Sequence, residues 1–206
     1  MMAKLKFTKT EQKNQQDQLK QFQRFLPTLQ LKKQQLQAEV RLSIEALEAN
    51  LAAQKVLEKE LASCIAFFGR SEDADFIASK VRVKRVVAGF ANIAGINIPT
   101  FDHVEFEESS WNLFETGWFV DDAINALKSA VSLREAYRII EEQHRLLSEE
   151  LRTTSQRVNL FEKVKIPECK ENIRKIRIML GDMDTAAVAR SKIAKGKGAA
   201  HGEDVA

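Results

Sequence analysis

The chain has few of the residues that turn or end secondary structure. Its 206 residues include only 8 glycines and 3 prolines, so we expect few and long elements. No apolar run approaches the roughly 20 residues that a membrane-spanning helix requires. The two cysteines, Cys64 and Cys169, lack a paired spacing, and no signal peptide precedes them. We interpret both as reduced thiols of a cytosolic protein that has no direct membrane insertion.

The chain also lacks a large excess of positive or negative charge. The chain has 32 Lys and Arg against 29 Asp and Glu, a formal net charge of +3. This excess is too small to indicate binding to nucleic acid or to an anionic membrane. With 44% apolar and 30% charged residues, the composition is that of a soluble protein of one structural domain.

The C-terminal part carries the clearest pattern, an apolar seam with a period of about 3.5 residues, which predicts a helix lying along a partner helix. The seam comprises Leu133, Tyr137, Ile140, His144, Leu147, Leu151, Thr154, Val158 and Phe161. It then slips by one residue and resumes as Ile166, Cys169, Ile173, Ile176, Leu180, Met183 and Ala187. We therefore expect the stripe to rotate near Pro167 while the helix continues to about Ile193.

The N-terminal part is predicted to supply the partner helix. Thr8 and Glu11 have the spacing of a capping box, which starts a helix, and Gly69 is placed to end it. The predicted apolar positions are Leu19, Phe22, Leu26, Leu29, Leu36, Val40, Ile44, Leu47, Leu51, Leu61, Ile65 and Phe68. The fold class is therefore mainly α, with two very long antiparallel helices that form a coiled-coil hairpin.

The organisation follows as four segments: a first long helix over 1–69, a connecting head over 70–118, a second long helix over 119–194, and a disordered tail over 195–206. In the head, residues 71–80 are predicted to form a short helix. Alternation at Val81 and Val83 predicts a strand, Ala88 and Gly89 a turn, and residues 92–99 a return strand. Such a hairpin should pack on the helices or on another subunit. We expect Trp111 and Trp118 to be buried at the base of the head.

The sequence contains no group of residues with the types and spacing that a catalytic site requires. His103, His144 and His201 lack metal-ligand spacing, and His144 falls on the seam, where a packed structural role is favoured. Cys169 has no histidine nearby that would make it a nucleophile. Adjacent carboxylates such as Glu149 and Glu150 point apart on a helix and do not form an acid/base pair. The chain is predicted to be non-catalytic, with no cofactor and no metal site.

Three stretches carry a family resemblance, in the same order along the chain. The signature is Thr154, Arg157, Val158, Asn159 and Glu162, then Ile166 and Pro167, followed by an apolar helix. A strand-like stretch holds Gly95, Ile96, Ile98 and Pro99, and the N-terminal helix holds Lys32 and Lys33. This combination resembles the D subunit of the V-type and archaeal-type rotary ATPases, the central axle of those complexes. Two departures are Phe25 with Pro27, and Gln34 after the two lysines.

The resemblance implies a rotor shaft that transmits torque between a nucleotide-binding hexamer and a membrane rotor, for ATP synthesis or hydrolysis coupled to H+ or Na+ transport. The implied partners are the catalytic A and regulatory B subunits around the two termini, and the F subunit and the membrane-side C subunit around the head. The implied place is cytoplasmic, peripheral to the membrane. Candidate contacts with the hexamer are Arg174, Lys175, Arg177 and Arg190, as a cationic collar facing acidic loops.

Two alternatives remain. The γ subunit of an F-type ATP synthase uses a similar helical shaft but carries an α/β domain, for which about 50 residues between the helices are too few. A non-rotary coiled-coil scaffold or nucleic-acid binder could use Lys80, Arg82, Lys84 and Arg85. This cluster is small for phosphate recognition, which normally recruits a wider patch with aromatic residues.

Overall fold

A computed structural model describes residues 5–65, 71–110 and 119–203 of the chain. In chain order, the elements are α1 (Lys9–Ile65), α2 (Ser71–Lys80), β1 (Val83–Ile93), β2 (Ile96–Phe106), α3 (Val120–Leu160), a π-helical turn (Phe161–Lys165) and α4 (Ile166–Glu203). The architecture is mainly α, as predicted, with one two-stranded sheet.

Helix α1 begins at the predicted cap. The backbone N–H of Glu11 donates to Thr8 Oγ1 at 3.2 Å, and the helix then runs for 57 residues through Pro27. Most of its buried and half-buried positions recur every seventh residue in two interleaved series, which is the heptad spacing of a coiled-coil seam. These positions are Gln15, Leu19, Phe22, Leu26, Leu29, Lys33, Leu36, Val40, Ser43, Leu47, Asn50, Gln54, Leu57 and Leu61.

Two predicted apolar positions of α1 are wrong. Ile44 and Leu51 are 42% and 39% exposed, and the polar Ser43 is buried at 6%. The register of the seam is set by Leu36, Val40 and Leu47, and a helix cannot turn both neighbouring positions toward the same partner. Ser43 and Asn50 therefore occupy the seam, although their apolar neighbours are larger.

The chain divides into two compact units, of which the first comprises Met1–Leu31 and Thr154–Ala206. Within it, α1 pairs with the C-terminal helices in antiparallel sense, because Gln15 contacts Asn172 while Phe22 contacts Phe161, with ring centroids 5.1 Å apart. The seam side chains Val158, Cys169 and Ile176 are almost fully buried. The helix pair predicted from the sequence is therefore present in this unit.

The second unit comprises Lys32–Thr153. Lys32 Nζ lies 2.7 Å from Glu150 Oε1, and Ser43 Oγ lies 2.9 Å from His144 Nδ1, so α1 and α3 are also antiparallel here. One core cluster joins three distant parts of the chain: Leu36 of α1, Ile98 of β2 and Leu147 of α3. The hairpin therefore packs on the helices, which was one of the two predicted options.

The sheet is a long antiparallel hairpin whose turn is not where the sequence suggested. Ile93 pairs with Ile96, and Ala94 and Gly95 form the two-residue turn. Both turn residues have positive φ, 51° and 82°, as a type I′ turn requires. The predicted turn at Ala88 and Gly89 is wrong, because both residues lie inside β1 and pair with Phe101 and Thr100.

A second core cluster closes the base of the head. Ile77 of α2 packs with Val120, Ala123 and Ile124 at the start of α3. Helix α3 begins with Asp121 and Asp122 in its first turn, as expected near the positive end of the helix dipole.

Several predictions concern the ends of the segments. Helix α4 continues to Glu203, so its predicted end near Ile193 is wrong, and most of the predicted tail is helical; helix formers such as Ala and Lys outnumber the glycines there. The seam of α4 is shorter than predicted, since Met183 is 50% exposed and Ala187 is exposed. Gly69, Phe68, Trp111 and Trp118 lie outside the described residues.

Candidate functional site

The family signature surrounds the π-helical turn, and only part of it is buried. Thr154 and Val158 are 1% and 3% exposed, and Ile166 is half-buried. The other members are exposed; they are Arg157, Asn159, Glu162 and Pro167. A packing role within this chain therefore fits Thr154, Val158 and Ile166, while the exposed members are free to contact other molecules.

The π-helical turn explains the slip of the seam. The backbone N–H of Ile166 donates to the carbonyl of Phe161, five residues earlier. A π turn holds one more residue than an α turn, so the step from Phe161 to Ile166 brings both side chains to the same side of the helix. The rotation that the sequence predicted is therefore absorbed inside one turn, directly before Pro167.

A small polar layer interrupts the seam between α1 and α3. Ser43 Oγ donates to the carbonyl of Val40 at 2.8 Å and lies 2.9 Å from His144 Nδ1. With the serine hydrogen on the Val40 carbonyl, the serine oxygen can accept a second hydrogen bond, from the ring Nδ1–H. The opposite ring nitrogen lies 3.4 Å from Ser148 Oγ. His144 is thus held as a packed structural histidine, as predicted.

The four candidate cationic contacts of α4 are all exposed, but they differ in their partners. Arg174 lies 2.9 Å and Lys175 3.8 Å from the same carboxylate, Glu171. Hydrogen bonding to Arg174 lowers the pKa of Glu171, and the same contact raises the pKa of Arg174. Arg177 and Arg190 have no ion pair among the residues that the structure describes. These two therefore present the more available charges.

Sequence reasoning missed an exposed apolar stripe on α1. It consists of Leu42, Ala46, Ala49, Ala53 and Val56, all of them exposed, with Leu42 and Val56 both at 56%. These positions flank the seam at steps of three and four residues, so they form a second line on the same helix. The spacing of three and four residues between these positions was visible in the sequence. The larger apolar residues of the seam, however, form the stronger pattern on the same helix.

The C-terminal part of α4 presents a second exposed surface. Five large apolar side chains between 43% and 60% exposed occur along it: Ile178, Met179, Met183, Val188 and Ile193. All positions from 181 to 195 are exposed. This stretch buries none of its own side chains in the described part of the molecule.

The hairpin residues singled out from the sequence are only partly brought together. Val83, Gly95, Ile96, Ile98 and Pro99 belong to the hairpin, and Ile98 is buried at 4%. Val81 precedes β1 and packs instead against the cluster around Ile77. The sequence did not single out Phe90, which is 81% exposed on β1.

The described residues offer little that could support catalysis. They contain no group of three or more His, Cys, Asp or Glu side chains placed to hold a metal ion. Cys169 is 3% exposed, and burial raises the pKa of its thiol, which disfavours the reactive thiolate. A groove of about 570 Å³ is open and is lined by Glu107, Glu108 and Lys128 among others. None of the described helices is long and apolar enough to cross a bilayer.

Comparison with known proteins agrees with this picture. The model of the family described as the D subunit of ATP synthase matches residues 11–196. The D subunit of the V-type ATP synthase of Borreliella burgdorferi is 46% identical over 194 residues, which cover 94% of this chain and 95% of that protein. The corresponding protein of Chlamydia felis is 32% identical over 96% of this chain and 95% of its own length. That of Chlamydia muridarum is 32% identical over 98% of this chain and its whole length.

Proposed function

Since the chain belongs to the family of ATP synthase D subunits, we propose that it is the central rotor shaft of a V-type ATP synthase. In this role it transmits torque between the nucleotide-binding hexamer and the membrane rotor, for ATP synthesis or hydrolysis coupled to H+ or Na+ transport. It acts as a non-catalytic subunit, held at the membrane through the complex. The relatives named above are D subunits of V-type ATP synthases.

One observation carries the proposal. Helix α1 keeps a heptad seam from Gln15 to Leu61, and in each unit that seam packs against an antiparallel helix. Within each unit, two helices that share an apolar seam resist bending and twisting better than one helix alone. Rigid-body rotation of such a shaft can couple distant sites without any chemistry of its own.

The exposed surfaces support the proposed partners. The exposed end of α4, with Arg190 and the apolar side chains after Leu180, suits insertion among the A and B subunits. This surface is extended by Arg177. It also includes Arg174 and Lys175, whose charges are partly engaged by Glu171. The apolar stripe from Leu42 to Val56 suits a partner helix, and we assign it to the F subunit. The head then faces the membrane-side C subunit.

The experiment that tests the proposal is affinity purification of the tagged full chain from source membranes, followed by an ATP hydrolysis assay. We expect the A, B and F subunits to co-purify with ATPase activity. A matched variant, Leu42→Glu with Val56→Glu, places charge on the stripe and leaves the seam intact, and it should lose the F subunit selectively. Purification without ATPase subunits, combined with salt-sensitive retention on DNA, would instead support the nucleic-acid alternative.

The basic cluster of the head gives that alternative little support. Lys80 Nζ donates to the carbonyl of Ser110 at 3.1 Å and lies over the ring of Phe76. Arg85 pairs with Glu105 at 3.2 Å. Two of the four cations are therefore already engaged within the chain.

A further inference from the structure

The outer edge of β1 carries unpaired backbone groups. A two-residue turn makes Ile93 and Ile96 a pair that exchanges both backbone hydrogen bonds. Farther from the turn, pairs that exchange hydrogen bonds alternate with pairs whose backbone N–H and C=O groups point away from the other strand. The pairs of the second kind are Asn92 with Asn97, Phe90 with Pro99 and Ala88 with Phe101. Pro99, which has no N–H, fits an outward-facing position.

The two edges of the hairpin differ in what covers them. On β2, the side chain of Gln143 donates to the outward carbonyl of Pro99, so this edge faces α3. On β1, the outward N–H groups belong to Ala88, Phe90 and Asn92. Across residues 5–65, 71–110 and 119–203, the structure gives these three groups no hydrogen-bond acceptor.

The β1 edge also lacks the usual protection against pairing. Natural edge strands are blunted by charged residues, prolines or bulges. From Val86 to Ile93 the strand has no charged residue and no proline. Its one irregularity in this stretch lies between Val87 and Ala88, which leaves Ala88 to Ile93 regular. Phe90 adds an 81% exposed aromatic ring to this edge.

The chemistry of a partner follows from the neighbouring charges. Arg82, directly before β1, and Lys84, near the start of the strand, are exposed. Strand β1 itself has no carboxylate, so a second copy paired along β1 would bring no opposite charge to these cations. A segment of another protein that places acidic residues beside Arg82 and Lys84 would neutralise these two cations.

We propose that the β1 edge binds an extended segment of another subunit by β-strand addition. The backbone of the segment pairs with Ala88, Phe90 and Asn92, an apolar side chain covers Phe90, and carboxylates meet Arg82 and Lys84. The inference rests on the proposed function only in seeking this segment within the assembled ATPase. A stiff shaft does not itself require an open strand edge.

Hydrogen exchange of single amides tests the proposal directly. In the isolated chain, the amides of Ala88, Phe90 and Asn92 should exchange fast, and those of Gly89 and Ala91, which bond across the hairpin, should be protected. In the purified complex, the three outward amides should exchange at least about tenfold more slowly. Exchange as fast as in the isolated chain would overturn the proposal, although the shaft function would stand.

A pair of variants separates backbone pairing from a change in fold. Ala88→Pro removes one outward N–H and leaves the bonded pairs of the hairpin intact, whereas Ala88→Val keeps that N–H. In the complex, Ala88→Pro should abolish the added protection at Phe90, and Ala88→Val should retain it. Protection that persists in Ala88→Pro would contradict strand addition. Phe90→Asp, which leaves the backbone unaltered and opposes an acidic segment, should lose the same protection.

The remaining outcomes are also decisive. Protection of the outward amides that grows with the concentration of the isolated chain would assign the edge to a second copy and overturn the proposal. Failure of the chain to co-purify with ATPase subunits would overturn the proposed function, and this inference with it.

Discussion

Single residues set the register of the helix pair. Leu36 is fully buried and packs with Ile98 and Leu147, while Leu42, six positions along the same helix, is 56% exposed. Both are leucines in the middle of α1. The difference between them is therefore one of position on the helix and not of residue type.

The first prediction compares these two leucines. Leu36→Ala should lower the free energy of unfolding by about 2–5 kcal/mol, since it leaves a cavity in a packed core. Leu42→Ala should change it by about 0.5 kcal/mol or less, because that side chain is exposed. Urea unfolding of the full chain measures both. Equal losses for the two variants would contradict the seam assignment.

The sequence predicted much of this seam but not its register throughout. Leu19, Phe22, Leu26, Leu29, Leu36, Val40 and Leu47 were identified correctly because apolar residues dominate there. Ile44 and Leu51 were misassigned because apolarity alone favoured them over Ser43 and Asn50. The strict seven-residue spacing was the better guide, since the geometry of the pair fixes which side faces the partner.

A second prediction concerns two glycines with the same free space. A Cβ at Gly95 or at Gly181 would meet nothing within 4 Å, but only Gly95 has a positive φ, of 82°. Gly95→Ala should therefore cost about 1 kcal/mol through backbone strain. Gly181→Ala, in helix α4, should stabilise by about 0.5–1 kcal/mol. Thermal unfolding of both variants checks the signs, and shifts in the same direction would contradict the turn geometry.

The same turn shows why the hairpin was placed wrongly from the sequence. Gly89 lies where the two strands approach closely, since a Cβ there would lie 2.9 Å from Thr100 Oγ1 and that side chain would have to shift. Ala94 adopts a positive φ of 51°, which alanine rarely does. An alanine followed by a glycine occurs both at Ala88–Gly89, inside the strand, and at Ala94–Gly95, in the turn. The residue types alone therefore do not locate the turn, which is determined by the pairing of the two strands.

At the scale of elements, the π-helical turn keeps the C-terminal helices in phase with α1. The seam of α1 shows no slip from Gln15 to Leu61, whereas the facing seam contains one extra residue between Phe161 and Ile166. Without the wider turn, every later seam residue would rotate by about 100°. The slip was visible in the sequence, but the element that absorbs it was not.

A third prediction follows for this turn. Deletion of Val164, which is 49% exposed, together with Pro167→Ala, should restore an unbroken heptad and change the stability by about 1 kcal/mol or less. Deletion of the exposed Arg152 from the regular part of α3 should instead cost several kcal/mol, because it rotates the seam that follows. Urea unfolding compares the two. A similar loss from both deletions would contradict the phase argument.

At the scale of the whole molecule, α4 buries no side chain over the last 15 positions whose exposure the structure describes. Leu180 is half-buried in the seam, and positions 181–195 are exposed. The sequence could not locate the end of the seam, because the apolar spacing continues through Met183 and Ala187. Burial requires a facing residue, and α1 begins only at Lys9.

A fourth prediction tests the role of this exposed helix. Truncation after Gly181 should leave the melting temperature of the isolated chain within about 2 °C, because few packed side chains are removed. In the complex, ATP hydrolysis should fall several-fold, since the proposed contacts with the A and B subunits are lost. The full-length chain in the same assembly is the control. Unchanged hydrolysis would remove this segment from the mechanism.

The candidate site was predictable in kind more than in detail. The family signature follows from residue types and their spacing. The exposed stripe from Leu42 to Val56 and the open edge around Phe90 could not be found in the same way. Both depend on which side chains the rest of the chain leaves uncovered.

The order of the contacts along the chain bears on how it is synthesised. Ser43 pairs with His144 and Gln15 with Asn172, so the residues made first acquire their neighbours last. The seam of α1 therefore emerges from the ribosome before the residues of α3 and α4 that cover it have been synthesised. The polar residues along this seam, Gln15, Lys33, Ser43, Asn50 and Gln54, would keep the waiting segment from sticking to other nascent chains.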